Sequence, residues 1–418
     1  MSAGSGHPSS GGRRIVLHIG LHKTGTTTIQ NVLHADRDLL LREEGVLYPS
    51  LAPNLSTPLG TIFRDEPHKQ AANRMAGLTN EEVAARREGY LSSLEDEVSR
   101  GGWEALLLSA EGVSTNLSEP ELAMLREWGE RYADAWTVLA WVRHPVDWAR
   151  SVVQQRLKAG EDTLQKMYQD PPGPNYRFRI SKFISVFGRE NVRVFDYGAA
   201  TASPGGILGA FAEQAGLSAS TRDLLTSRTE RHNESLSMEA VRILDSLNRQ
   251  RPAFVGDERA PGRSGPGREL AYLSRIKGRR FDLPGAVKEE IRSRSREDVA
   301  WLNETFGLDL YPDVFAGPFP KDAREEPADA SASVLSDAAV DGIAEVLGDL
   351  VAQKAFDRAL QQGKAALARG DLERAGRMLK RASQLDPEAP QPRRLLRRLS
   401  RERRGESADA RRDGPGRV

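Results

Sequence analysis

The chain has 418 residues, of which 39% are hydrophobic and 28% charged, with a formal charge of +1 and no cysteine. That composition excludes an intrinsically disordered protein, and the missing cysteines exclude disulfides, thiol catalysis and cysteine-ligated zinc. No run approaches the ~18 apolar residues of a membrane span and the first residues lack an apolar signal region, so a cytoplasmic protein with one large or two modest domains is expected.

Residues 1–12 are rich in Gly and Ser and read as a disordered lead-in. The stretch IVLHIGLHKTGTTTIQ at 15–30 opens with a short β-branched run, as a buried parallel strand does, and passes through Gly20 and a polar loop into a helical pattern. Gly25 removes Cβ where a ligand must approach the backbone. The three threonines after it supply hydroxyls and the first helical N–H groups, and with the helix dipole these favour a phosphate or sulfate.

Asp36 can cap a second helix, with Leu39, Leu40 and Leu41 inward and Gly45 at its stop, before a short strand VLYP. Residues 52–78 contain Pro53, Pro58 and Pro67 without clear periodicity and read as a long surface excursion. Capping-box pairs Thr79/Glu82 and Ser118/Glu121 start two helices, with the third strand ALLLSAEG between them. TVLAWV forms a fourth strand running into Arg143, His144 and Pro145, the last suited to the first turn of a helix. A helix over 175–188, a fifth strand NVRVFDY and an apolar helix over 207–215 continue the alternation. It predicts an α/β fold, a P-loop-type parallel β-sheet flanked by helices. Residues 219–318 read as mainly helical, interrupted over 252–268 by a mobile loop dense in Gly, Pro and Arg.

Residues 319–337 form a linker, and 338–400 a small all-α C-terminal appendage. Gly363, Gly370, Ala375, Leu379, Ala382 and Pro387 resemble one tetratricopeptide (TPR) unit, two antiparallel helices meeting near ARGDLE. A lone repeat cannot bury both faces, so this TPR-like hairpin docks on the rest of the chain, self-associates or holds a protein partner; an ordinary capping hairpin fits the same residues. Residues 401–418 read as a basic disordered tail. From 393 onward there are ten arginines to four acids, the only stretch whose charge suggests an anionic partner. No nucleic-acid partner is expected.

Gly20 and Gly25 have the gap of an ATP or GTP loop, but Thr26 stands where that loop has its lysine, and Lys23 lies inside the loop instead. This arrangement resembles the 5′-phosphosulfate loop, Pro-Lys-Ser-Gly-Thr-Thr-Trp, of sulfotransferases that use 3′-phosphoadenosine 5′-phosphosulfate (PAPS). His22 stands for the Pro, Lys23 for the Lys and Thr24 for the Ser; Gly25, Thr26 and Thr27 match, and Thr28 replaces the Trp that stacks on adenine. HNESLS at 232–237 and WLNETFGLDLYPD at 301–313 resemble the closing helices of bacterial members. The resemblance covers residues 13–318 and implies a PAPS-dependent sulfotransferase domain.

It further implies that Lys23, Thr24, Gly25, Thr26, Thr27 and Thr28 hold the phosphosulfate. Arg143 and Ser151 have the spacing of the Arg and Ser that bind the 3′-phosphate in this family. Glu111, at the end of the third strand, stands where the family places its base, and an open α/β sheet puts ligand-contacting residues there. His18, His22 and His144 are its rivals for that role: His18 reads as packed, and His22 lies beside Lys23 in the loop. Asp196 follows an apolar run as a magnesium-holding aspartate does, but with the lysine displaced it reads as a structural carboxylate, and the scheme requires no metal. The acceptor is a hydroxyl compound, carbohydrate or small molecule. Two other readings of the same residues stay open: a P-loop nucleotide-dependent kinase, and a non-catalytic sulfotransferase-like binding or scaffold protein.

Overall fold

The computed structural model describes residues 12–228, 235–255, 258–259, 269–317 and 336–409. They form two compact units. The first comprises Met1–Ala149, Gly173–His232 and Glu289–Pro318, and the second Arg150–Pro172, Asn233–Lys288 and Phe319–Val418.

The first unit is an α/β domain built on β1 (Arg14–His18), β2 (Val46–Leu47), β3 (Ala105–Ser109), β4 (Ala135–Val142) and β5 (Val192–Asp196). All neighbours are parallel, in the order β2-β3-β1-β4-β5. β3 is buried at every position, as an interior parallel strand must be, which is why ALLLS shows no apolar–polar alternation. β1 is central: His18 lies opposite Ser109 on one side and Leu139 on the other. The turns after β3, β1 and β4 therefore emerge side by side at one sheet edge. At a strand-order reversal of this kind, open α/β sheets bind ligands.

Several helix boundaries follow local chemistry. Gly25, at φ 77°, precedes the helix Thr26–Ala35, and Gly45, at φ 60°, ends the helix Arg37–Glu44. Thr79 and Glu82 form their capping box, the Glu82 amide donating to Thr79 Oγ1 at 3.2 Å and the Thr79 amide to Glu82 Oε2 at 2.8 Å. Two expectations are corrected. Asp36 precedes its helix without a side-chain cap, because Arg228 takes its carboxylate. The surface excursion expected over 52–78 fails in its first half, which forms the buried helix Ser56–Phe63, while most of 64–78 does lie at the surface. Pro58 sits in that helix's first turn, where proline is tolerated, and buried Gln70 accepts from Thr61 Oγ1 at 2.8 Å while donating to the Ser56 carbonyl at 3.2 Å.

In the second unit the helix Met238–Gln250 buries Val241, Leu244 and Leu247. The 32-residue helix Asp337–Ala368 docks along it: Ser246 Oγ donates to Asp341 at 2.6 Å and Arg242 to Asp337 at 2.6 Å. A turn at Gly370 (φ 75°), within ARGDLE, leads into Leu372–Leu385, and a third helix, Pro390–Asp409, runs into the stretch from 401 expected as disordered. A Cβ on Gly363 would come within 2.7 Å of Leu379, so glycine lets the first two helices touch. Phe254–Val255 and Glu258–Arg259 pair as a short antiparallel ribbon; most of the expected mobile loop, with Asn233, Glu234 and the linker residues 319–335, lies outside the described residues. No described helix is long and apolar enough to cross a membrane.

Candidate active site

The loop between β1 and Thr26–Ala35 is a tight left-handed turn. Gly20 (φ 30°), Lys23 (φ 72°) and Gly25 (φ 77°) all have positive φ, which is costly for a lysine and must be held from outside. Arg143 supplies part of that hold, its Nη1 donating to the Lys23 carbonyl at 3.0 Å. A Cβ on Gly20 would stand 2.3 Å from Thr26 Cγ2, and one on Gly25 3.0 Å from Ile207 Cγ2, so neighbouring groups already fill the space beside each.

The four threonines divide by environment. Thr24 is buried and donates to the Leu21 carbonyl, closing the loop on itself. Thr26, also buried, donates its hydroxyl to Glu111 Oε2 at 2.6 Å. Thr27 is exposed and Thr28 half-buried, at a helix start whose first N–H groups have no carbonyl within the helix.

Glu111 follows β3 on the neighbouring turn. Asn54 Nδ2 approaches its Oε1 at 3.4 Å, and the Gly112 amide donates to Ser56 Oγ at 2.8 Å, so the 52–78 segment braces the base candidate from the far side. A Cβ on Gly112 would stand 2.8 Å from Ser56 Cβ, which is why glycine suits that position. On the other flank Arg143 directly follows β4. Its guanidinium lies 5.2 Å from the centre of the Tyr197 ring, and Tyr176 donates its hydroxyl to the Arg143 carbonyl.

The histidines separate by burial. His18 is fully buried, shares a 2.8 Å hydrogen bond with Ser109 Oγ, and is pushed down to about 3 by desolvation, so it is a neutral packed side chain. His22 is held below the ordinary imidazole value, chiefly by burial; Glu111 opposes that shift, and the charges of Arg179 and Lys23 reinforce it. His144 is elsewhere occupied, its Nε2 lying 3.1 Å from the Asp313 carboxylate. Asp196 is a structural carboxylate, accepting from the Gly198 and Ala199 amides at 3.1 and 3.0 Å and from Tyr311 at 2.8 Å.

Lys23, Glu111, His22 and Arg143 thus share one edge of the first unit's sheet, whereas Ser151, half-buried, belongs to the second unit. Sequence reasoning missed Asn54, Tyr176, Tyr197 and Arg179. Only Asn54 carried a local signal: an Asn two before a Ser marks the turn in which the Ser56 amide donates to Asn54 Oδ1 at 2.9 Å.

No protein-family model and no curated protein matches this sequence. Among solved structures, a sulfotransferase from Alicyclobacillus acidocaldarius is similar at 16% identity with a TM-score of 0.38, covering 73% of this chain and 99% of that one. A likeness that loose assigns no activity.

Proposed function

We propose that the protein is a PAPS-dependent sulfotransferase acting on a hydroxyl acceptor, carbohydrate or small molecule. The observation that carries this reading is the sheet order: β3, β1 and β4 are adjacent, so the Lys23 loop emerges between Glu111 and Arg143. The donor set fits a phosphosulfate, combining left-handed glycines at a helix N-terminus, a lysine inside the loop and a guanidinium at the next strand end.

In an in-line transfer, the acceptor oxygen attacks sulfur as the bond from sulfur to the 5′-phosphate oxygen breaks. Glu111 takes the acceptor proton, Lys23 and the N–H groups at Thr26 and Thr27 neutralise the leaving phosphate, and Arg143 meets the 3′-phosphate. His22, held below the ordinary imidazole value chiefly by burial, is the second candidate base. Ser151 joins this scheme on its spacing from Arg143 alone.

The kinase alternative is less well supported, since Lys23 is displaced from the nucleotide-triphosphate position and Asp196 is committed to a helix start and to Tyr311. The test is incubation with ³⁵S-labelled PAPS and, separately, γ-labelled ATP in the presence of a glycan and metabolite extract. We expect label to move from PAPS and not from ATP, and to stop moving in Lys23→Ala. Transfer from ATP alone, or none from either, refutes the reading.

A further inference from the structure

Among the described residues, two sheltered side-chain nitrogens have no hydrogen-bond partner: Nη1 of Arg179, on the helix Tyr176–Phe187, and Nδ1 of His22, in the loop beside Lys23. An unsatisfied buried polar group is expensive, and an unmatched guanidinium N–H more so, unless the site is built for a ligand. Sheltered positions of this kind point to an anion.

The helix Tyr176–Phe187 places Arg179 between the two halves of the site. Three residues before it, Tyr176 is tied to the Arg143 carbonyl at the end of β4; three residues after it, Lys182 Nζ donates at 2.6 Å to the Leu117 carbonyl, where the short helix Val113–Asn116 behind Glu111 ends. Residues three apart neighbour one another along a helix, so this stripe runs from the Arg143 turn towards the Glu111 turn with Arg179 in its middle. Arg179 itself is anchored from below, Nε donating to the Pro174 carbonyl at 2.7 Å, with the guanidinium 5.9 Å from the centre of the Trp148 ring. Those contacts fix the fork without using Nη1. The Asp298 carboxylate, which accepts from the Tyr176 and Arg177 amides, is the anion whose charge acts on Arg179; the Arg179 charge is in turn felt at His22 and at Lys182, whose ammonium is pushed down to about 8, chiefly by its own burial.

We infer that Arg179 Nη1 and His22 Nδ1 form an oxyanion subsite beside Glu111, which holds either the sulfuryl oxygens of the donor or a carboxylate on the acceptor. The naming of those two sources rests on the sulfotransferase reading; the anion site does not. His22 serves as donor there in the tautomer with the proton on Nδ1, and Arg179 supplies the charge-assisted bond. If the source is the acceptor, its class is narrowed to hydroxy acids, such as sugars bearing a carboxylate.

The experiment uses the full chain with saturating PAP (adenosine 3′,5′-bisphosphate), so that the phosphate positions are filled. Sodium sulfate and sodium acetate are titrated at constant ionic strength by calorimetry, with the His22 ring resonances as a local reporter. We expect one of the two anions to bind saturably to wild type and to shift His22. Arg179→Met and Arg179→Lys should each bind it at least about tenfold more weakly, the loss of one charge-assisted bond, while PAP affinity stays unchanged. Displacement of sulfate by PAPS identifies the sulfuryl group as occupant, and acetate binding undisturbed by PAPS identifies an acceptor carboxylate. Absence of saturable binding of both anions, or equal binding by both Arg179 variants and wild type, overturns the subsite. If PAP itself does not bind, the nucleotide reading fails, and the same titrations without it still decide the subsite.

Discussion

Thr26 Oγ1 donates to Glu111 Oε2 across 2.6 Å, joining the first residue of the helix after the anion loop to the turn after β3. The contact links the two halves of the proposed chemistry, since the group that would take the proton is oriented by the loop that would hold the leaving phosphate. Glu111→Gln keeps shape but cannot accept a proton at neutral pH. We expect kcat to fall about 10²- to 10⁴-fold with PAP affinity nearly unchanged. Thr26→Val should lower kcat less, by misorienting an intact base. If Glu111→Gln leaves kcat intact, the role passes to His22, and His22→Asn becomes the variant to measure.

Arg143 holds the Lys23 carbonyl as well as the proposed 3′-phosphate, so the two residues should fail differently. Lys23→Ala removes a charge beside the leaving oxygen and should abolish turnover while weakening nucleotide binding. Arg143→Ala should chiefly weaken PAP, and wild type should bind PAP at least about tenfold more tightly than adenosine 5′-phosphate, since a charge-assisted contact separates the two ligands. Equal affinity for both ligands in wild type would remove Arg143 from the phosphate site.

How far the sequence reached depended on whether a feature was local. The five strands, the Gly25 and Gly45 turns and the Thr79 capping box were legible because apolar runs, left-handed glycines and reciprocal caps lie within a few residues. Strand order was not, since nothing local in VLYP or TVLAWV says which side of β1 each takes, and that order is what sets Glu111 and Arg143 astride the loop. The burial of Ser56–Phe63 was obscured by prolines that read as breaks, although Pro58 lies in a first turn. Arg179 was invisible for another reason: in YRFRISKF it is one cation among several, and only the fold shows which guanidinium nitrogen is sheltered without a partner.

Acid should destabilise the first unit through His18. Below pH 6.5 the unfolded chain takes up a proton there that the folded chain refuses until about 3, so unfolding gains as pH falls through that window. The loss is about 1.4 kcal/mol per pH unit from this group, and the depressed His22 acts in the same direction. Chemical denaturation of His18→Gln between pH 7 and 4 should show a shallower decline than wild type, by close to one proton. Identical slopes would mean that His18 is already protonated in the fold.

Removal of everything after Gly317 tests the helical appendage. The helix Asp337–Ala368 covers Met238–Gln250, and a Cβ on Gly348 would stand 3.1 Å from Leu247 Cδ1, so the two helices are in close contact. The ion pairs that decorate this contact, Arg242–Asp337 and Arg251–Asp349, include largely exposed carboxylates and contribute little. The loss should come from apolar surface, at about 1.5–3 kcal/mol for each aliphatic side chain fully uncovered. We therefore expect the truncated protein to melt earlier and to aggregate on heating, in contrast to an appendage that serves only to bind a partner. Residues 23–28 and Arg143 lie in the first unit and Ser151 is retained in the truncated chain, so PAP affinity measured below the transition should persist. Replacing Leu247 by Gln in the truncated chain should restore solubility if exposed apolar surface is the cause; a truncated protein with unchanged melting would show that the contact contributes nothing to stability.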